Sequence, residues 1–96
     1  MRVVIRPAAE ADLAEVIGWY ESNSLGLSFD LRLALLATLD QIARYPDSST
    51  QVSPTVRRAL LRRFPHAVYY RRGGDMIEVI AILHTHRSPR RWQQRQ

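Results

Sequence analysis

The sequence predicts an α+β fold in the order β-α-α-β-β-β, a helical hairpin packed on one face of a small, mainly antiparallel sheet. Three observations carry this. Residues 8–45 place apolar side chains at helical spacing and are interrupted once, by the polar and glycine-containing stretch Ser22–Gly26. Residues 56–84 hold β-branched and aromatic runs divided by Phe64-Pro65 and by Gly73-Gly74-Asp75, the punctuation of strands joined by short connections. A single short run, Arg2–Arg6, precedes the helices, and a two-helix crossover allows it to pair in parallel with a later strand.

The first strand, RVVIR, sets Val3 and Ile5 on one face and ends at Pro7, a residue well suited to the first turn of a helix. In the helix that follows, to about Asn23, Ala9, Leu13, Val16, Ile17 and Tyr20 share one arc of the wheel. Glu10 and Asp12 fall in its first turns, where the helix dipole favours carboxylates. Trp19 lies towards the polar side, as an edge packing residue or a partner contact.

The second helix is expected from about Ser28 to Tyr45, stopped by Pro46. Leu31, Leu35, Leu36, Leu39, Ile42 and Ala43 form its apolar arc, which Phe29 and Leu33 widen to roughly 200°. That is more than one sheet face requires. The first helix is expected to cover the excess; the alternative is an open strip for an apolar helix of a partner. Arg32 points into the arc, its stem packing and its head reaching solvent. Asp47–Thr55 reads as a loop.

Three strands follow: Val56 to about Phe64, His66–Arg72, and Asp75 to about His84. In the last, Ile77, Val79, Ala81 and Leu83 alternate with Met76, Glu78, Ile80, Ile82 and His84, and both faces are largely apolar. That strand is therefore expected inside the sheet, with the first strand on its far side. Gly73 and Gly74 are both expected to take the positive φ of a hairpin turn. Residues 88–96 form a basic tail whose conformation the sequence leaves open.

Ninety-six residues are expected to make one domain over 1–96. With no cysteine, neither a disulfide framework nor a thiolate metal site is available, and a reducing cytoplasm is the expected compartment. The longest apolar run, Val79–Leu83, is too short to span a bilayer, and MRVVIRP has no signal-peptide character, so no membrane association is expected.

The net charge of +5 hides an asymmetry: residues 1–56 hold 4 arginines against 7 carboxylates (−3), residues 57–96 hold 10 against 2 (+8). Such a half attracts polyanions or acidic proteins. Every cation is arginine, by coding bias or because planar forks suit phosphate and carboxylate.

Arg58 and Arg62, on one expected strand and flanking Leu60, share a face and could grip an anion; the alternative is a solvated arginine edge that discourages strand pairing. His84 and His86 could act as acid and base on RNA, with Tyr69 or Tyr70 and arginines stabilising the phosphate; alternatively a histidine hydrogen-bonds backbone at the strand end. No third histidine, cysteine or carboxylate cluster lies near in sequence, so no metal site and no cofactor are expected.

The segments EADLAEVIGWYE, a Leu-rich helix ending IARYP, RRALLRRFPHAVYYRR and IEVIAILHTHRSPRRW together resemble the RelE/ParE superfamily, the toxin half of bacterial type II toxin-antitoxin pairs, over nearly the whole chain. The resemblance implies a small cytoplasmic toxin in a hetero-oligomer with a cognate antitoxin, whose C-terminal segment wraps over the hairpin and sheet. Trp19, Phe29, Leu33 and Leu36 are the residues expected to meet it.

The superfamily divides between ParE-like members, which poison DNA gyrase without being nucleases, and RelE-like members, which cut mRNA in the ribosomal A site. The hairpin ending in YP and the ILH-x-x-R-x-P-x-x-W close are more similar to the ParE-like side, and the chain has no lysine and no tyrosine in its C-terminal region. The resemblance thus implies gyrase inhibition without catalytic residues, through Arg58, Arg62, Arg87, Arg90, Arg91 and Trp92. The alternative is a ribosome-dependent mRNA endonuclease using His84, Arg62 and Arg87, and a third reading is a non-toxic nucleic-acid-binding module. Whether the chain is an enzyme stays open at this point.

Overall fold

The computed structural model describes residues 1–24 and 26–96. Its elements are β1 (Arg2–Ile5), α1 (Pro7–Asn23), α2 (Leu27–Arg44), β2 (Thr50–Gln51), β3 (Arg57–Leu60), β4 (His66–Gly73), β5 (Met76–His84) and α3 (Arg90–Gln93). The sheet order is β1-β5-β4-β3-β2; β1 runs parallel to β5, and the other neighbours are antiparallel. The predicted α+β architecture, the parallel first strand and the internal position of β5 are all observed.

Pro7 opens α1 at a position where no backbone donor is needed. The helix ends at Ser24, whose N–H donates to the Tyr20 carbonyl at 2.7 Å. Gly26, at φ 90°, takes the left-handed conformation that reverses the chain into α2. Leu25, within the expected turn, lies outside the described residues. Arg32 is exposed and pairs with Glu21 at 3.2 Å, tying the two helices together.

Two apolar clusters lie on opposite sides of the sheet. On the helix side, Ala9, Leu31, Leu35 and Ile42 pack on Val68, Tyr70, Ile77, Val79 and Ile82. Each such large aliphatic side chain, fully buried, contributes about 1.5–3 kcal/mol. Tyr70 is fully buried, and its hydroxyl donates to the Pro46 carbonyl at 2.7 Å, so the polar tip is satisfied. On the other side, Val56, Ala67, Tyr69, Ile80, Ala81 and Leu83 cluster with Trp92.

The structure corrects five expectations. The strand predicted for Val56–Phe64 is β3, Arg57–Leu60 only. Beyond it the Leu61 N–H turns to the His66 carbonyl at 3.0 Å and Arg63 adopts φ 69°, so Arg62 leaves the sheet and shares no strand face with Arg58. The expected loop Asp47–Thr55 contains β2, a two-residue polar edge strand too short to give a sequence signal. The strict alternation along β5 is broken by a bulge: Tyr69 faces Ala81 but Tyr70 faces Val79. The extra residue, Ile80, reverses the phase, so Val79 and Ile82 share the helix side while Ile80, Ala81 and Leu83 join the opposite cluster.

At the hairpin only Gly74 has a positive φ, 68°; a side chain on Gly73 would instead come within 2.7 Å of the Glu78 carboxylate. Finally, α1 leaves the outer part of the α2 arc uncovered. Phe29, Leu33 and Leu36 are 61%, 50% and 62% exposed, while Leu31, Leu35, Thr38 and Ile42 face the sheet. Among the described residues no helix is long and apolar enough to cross a membrane.

Candidate functional site

The inner arc of α1 carries a carboxylate. Asp12 is buried one turn after Ala9 and one turn before Val16, which aims it at the part of β5 that the shorter β1 does not reach. It accepts the Ile82 N–H at 3.0 Å. Arg95, from the residues after α3, donates to both Asp12 oxygens and to the Ile80 carbonyl at 3.1 Å. The buried carboxylate is thereby paired and hydrogen-bonded, and the C-terminal residues are fixed to the body of the fold.

Trp92 makes the second attachment. It is 7% exposed and stacks on Tyr69, with ring centroids 5.5 Å apart and planes 15° from parallel. Arg58 lies directly opposite Tyr69 in the ladder, and Leu60, two residues along on the same face, is exposed. The expected tail is therefore a short helix lying across the open face of the sheet, with Arg90 and Arg91 exposed ahead of the buried Trp92.

On the helix side, the end of α1 and the paired ends of β4 and β5 bound a groove of about 830 Å³. His66 and His84 are direct partners in the ladder, and the groove gathers them with His86, Arg87 and Arg91 beneath Trp19. Ring centroids are 5.3 Å apart for His66 and His84 and 5.1 Å for His84 and His86. His84 Nδ1 accepts the His86 backbone N–H at 3.0 Å, the strand-end role considered from sequence. An accepting Nδ1 leaves the proton of neutral His84 on Nε2.

His66 is 7% exposed and its Nδ1 has no hydrogen-bond partner. Burial pushes its pKa down from the usual value, and the neighbouring His84 adds to the shift. Among the described residues no group of three His, Cys, Asp or Glu side chains is placed to hold a metal ion.

The charge asymmetry of the sequence is largely cancelled in space. Carboxylates from the N-terminal half reach the basic half: Asp47 pairs with Arg57 and Arg72, Glu15 with Arg87, Asp12 with Arg95. Arg71 and Arg6 share Glu78. Among the described residues, Arg58, Arg62, Arg63, Arg90 and Arg91 are the cations of the basic half that have no carboxylate within 4.0 Å.

The sequence matches the family described as ParE toxin of type II toxin-antitoxin system, parDE, over residues 3–89. The chain belongs to the ParE toxin family. Among solved structures, a chain of the chromosomal ParDE toxin-antitoxin system from P. aeruginosa is similar in fold, with a TM-score of 0.76 at 18% identity, covering 88% of this chain and 95% of that one. No curated protein sequence matches it. The resemblance drawn from EADLAEVIGWYE to RSPRRW thus led to the right family and the right fold.

Within this ParE-family chain the structure brings Arg58, Trp92, Arg90 and Arg91 to the open face and the adjoining C-terminal helix. His84, Arg87 and, from the C-terminal helix, Arg91 line the groove on the other side, whereas Arg62 projects from the Leu61–Pro65 connection and does not line that groove. Phe29, Leu33 and Leu36 form one stripe along α2, and Trp19 stands at the groove rim on α1. Sequence reasoning gave Asp12 only a helix-dipole role and assigned no site role to Arg95 or His66. Asp12 had a signal: a carboxylate at i+3 from Ala9 and i−4 from Val16 sits on the apolar arc, and calls for a buried cation. His66 could be found only through its pairing with His84, 18 residues away in the ladder.

Proposed function

We propose that this ParE-family chain is a cytoplasmic toxin that arrests growth by inhibiting DNA gyrase, and that a cognate antitoxin neutralises it in a hetero-oligomer. The observation that carries the choice of target is the separation of the nuclease candidates. Arg62 lies outside the groove that holds His84 and Arg87, so the three are not gathered around one position. A phosphodiester cleavage site needs its acid, base and phosphate-binding groups within hydrogen-bond reach of one phosphate.

The target contact is assigned to Arg58, Arg90 and Arg91, anchored by Trp92, with Arg62 and Arg87 at its margins. These guanidiniums have room for acidic or phosphate oxygens. The antitoxin contact is assigned to Phe29, Leu33 and Leu36, at i, i+4 and i+7 on α2, the spacing an apolar helix face recognises, and to the exposed Trp19 on α1.

The test is a pair of assays on purified protein. Supercoiling by gyrase should stop and gyrase-cleaved DNA should accumulate, both relieved by the antitoxin, while ribosome-bound mRNA stays intact. Codon-periodic mRNA cleavage with unimpaired gyrase would replace this reading with the RelE-like one. Tight binding of nucleic acid with neither effect would favour a non-toxic binding module.

A further inference from the structure

Apart from Arg91, which both share, neither the α2 stripe nor the open-face cations account for the groove between α1 and the ends of β4 and β5. Its volume, about 830 Å³, is that of a small-ligand site. Its walls are apolar and aromatic, from Val16, Trp19, Tyr20 and Ile82, and its polar groups include the donors His84, Arg87 and Arg91 beside the carboxylates of Asp12 and Glu15. His84 offers Nε2–H, since Nδ1 is engaged by the His86 backbone. Arg91 has no carboxylate partner among the described residues, and Arg87 is held only by exposed Glu15, a pair that a competing anion can open at little cost. The other carboxylate at the groove, Asp12, is already satisfied by Arg95 and the Ile82 N–H.

A metal does not suit this donor set. Coordination by His84 Nε2 would move its proton to Nδ1, against the His86 N–H that Nδ1 now accepts. An anion does suit it, and the adjacent Trp19, 60% exposed and standing edge-on to Tyr20 at 5.0 Å, leaves a ring face on which a planar group can stack. His66, buried in the same groove with Nδ1 unpartnered, supplies a further polar atom for a ligand hydroxyl or ring nitrogen after a small rotation.

We infer that this groove binds a nucleoside monophosphate unit, its phosphate held by Arg91, Arg87 and the His84 Nε2–H and its base stacked on Trp19. The same unit occurs free or at the end of a nucleic-acid strand.

The experiment titrates adenosine 5′-monophosphate into the 15N-labelled full chain and follows the Trp19 indole N–H and the His84 and His86 imidazole resonances. Saturable shifts at all three are expected, with adenosine alone and inorganic phosphate alone each binding at least about tenfold more weakly, since each keeps half of the contacts. Trp19→Ala and Arg91→Glu, both at exposed positions, should each weaken binding by about tenfold or more, in line with the loss of one base stack or one charge-assisted contact. A 5′-phosphorylated trinucleotide binding as tightly as the mononucleotide supports the strand end as the source; weaker binding supports the free nucleotide. Absence of saturable shifts, equal binding of phosphate alone, or affinity unchanged in both variants would overturn the site.

Discussion

Arg95 grips Asp12 with both guanidinium nitrogens, Nη1 to Oδ2 at 2.5 Å and Nη2 to Oδ1 at 3.2 Å, across 83 positions of sequence. The pair stands where a further strand would otherwise run. β1 stops pairing at Val79, after which the Arg6 N–H donates to the Val79 carbonyl, Arg95 donates to the Ile80 carbonyl and Asp12 accepts the Ile82 N–H. Two side chains thus complete the hydrogen bonding of an edge and close the C-terminal residues over it.

Removing both members of this pair should therefore cost less than the sum of removing each alone. Asp12→Leu leaves a largely buried guanidinium without its anion, and a loss of about 3–5 kcal/mol is expected. Arg95→Met should cost somewhat less, because Asp12 keeps the Ile82 N–H. In the double variant the coupling should return at least about 1 kcal/mol relative to the sum of the singles. Urea denaturation of the four proteins checks this, and additive losses would show that the two groups do not act as a unit.

How far the sequence discloses such features depends on the range of the signal. The amphipathic arcs of α1 and α2, the Pro46 stop and the β4–β5 hairpin are local patterns, visible in Ala9 to Tyr20, Leu31 to Ile42 and Gly74. The length of β3 was not legible, since RRALLRRF holds no Gly, Pro, Asn or Asp to mark a break and only the left-handed Arg63 and the inward Leu61 end it. The β5 bulge was hidden because Ile77 to Leu83 is apolar on both faces, so that no polar residue marks the change of phase. The paired arginines misled for a different reason: charge counts ignore where Asp47, Glu15 and Asp12 come to rest.

The uncovered α2 stripe makes a separate prediction about the antitoxin. Leu33→Glu and Leu36→Glu replace exposed side chains, so folding stability should change by less than about 0.5–1 kcal/mol. A desolvated carboxylate in an apolar helix contact is far costlier, and the double variant should weaken antitoxin binding by about 100-fold or more. Titration calorimetry with the purified antitoxin reads this directly. Wild-type affinity in a folded double variant would move the antitoxin contact off α2.

His66 makes stability depend on pH. Its pKa in the folded protein is below the ordinary 6.5, because burial first, and His84 second, disfavour the charged ring. The unfolded chain therefore binds a proton that the folded chain refuses. The contribution of the neutral ring is fully present above about pH 6.5 and is lost as pH falls from there towards the folded value. Tyr20 and His84 pack against the ring in edge-to-face fashion, so His66→Phe should be accommodated and should flatten the pH dependence of the melting temperature below pH 6.5. An unchanged slope in that variant would remove His66 as its source.

The proposed target contact requires the C-terminal helix to divide its labour between packing and contact. Trp92 closes the open-face cluster over Tyr69, so Trp92→Ala opens a cavity the size of an indole and should cost about 3–5 kcal/mol, with toxicity falling as far as the folded fraction falls. Arg90 and Arg91 are exposed beside it and hold no carboxylate among the described residues, so reversing both charges should leave the melting temperature nearly unchanged. Growth arrest should nevertheless be abolished, because two guanidiniums aimed at an acidic target become two repulsive carboxylates, while antitoxin affinity through the α2 stripe is kept. Arg90→Lys with Arg91→Lys separates charge from fork geometry: partial arrest would show that charge dominates, and loss equal to the reversal would show that bidentate contacts carry the interaction. Full growth arrest by a folded, expressed Arg90→Glu/Arg91→Glu variant would exclude the helix from the target contact and leave Arg58 as the open-face candidate.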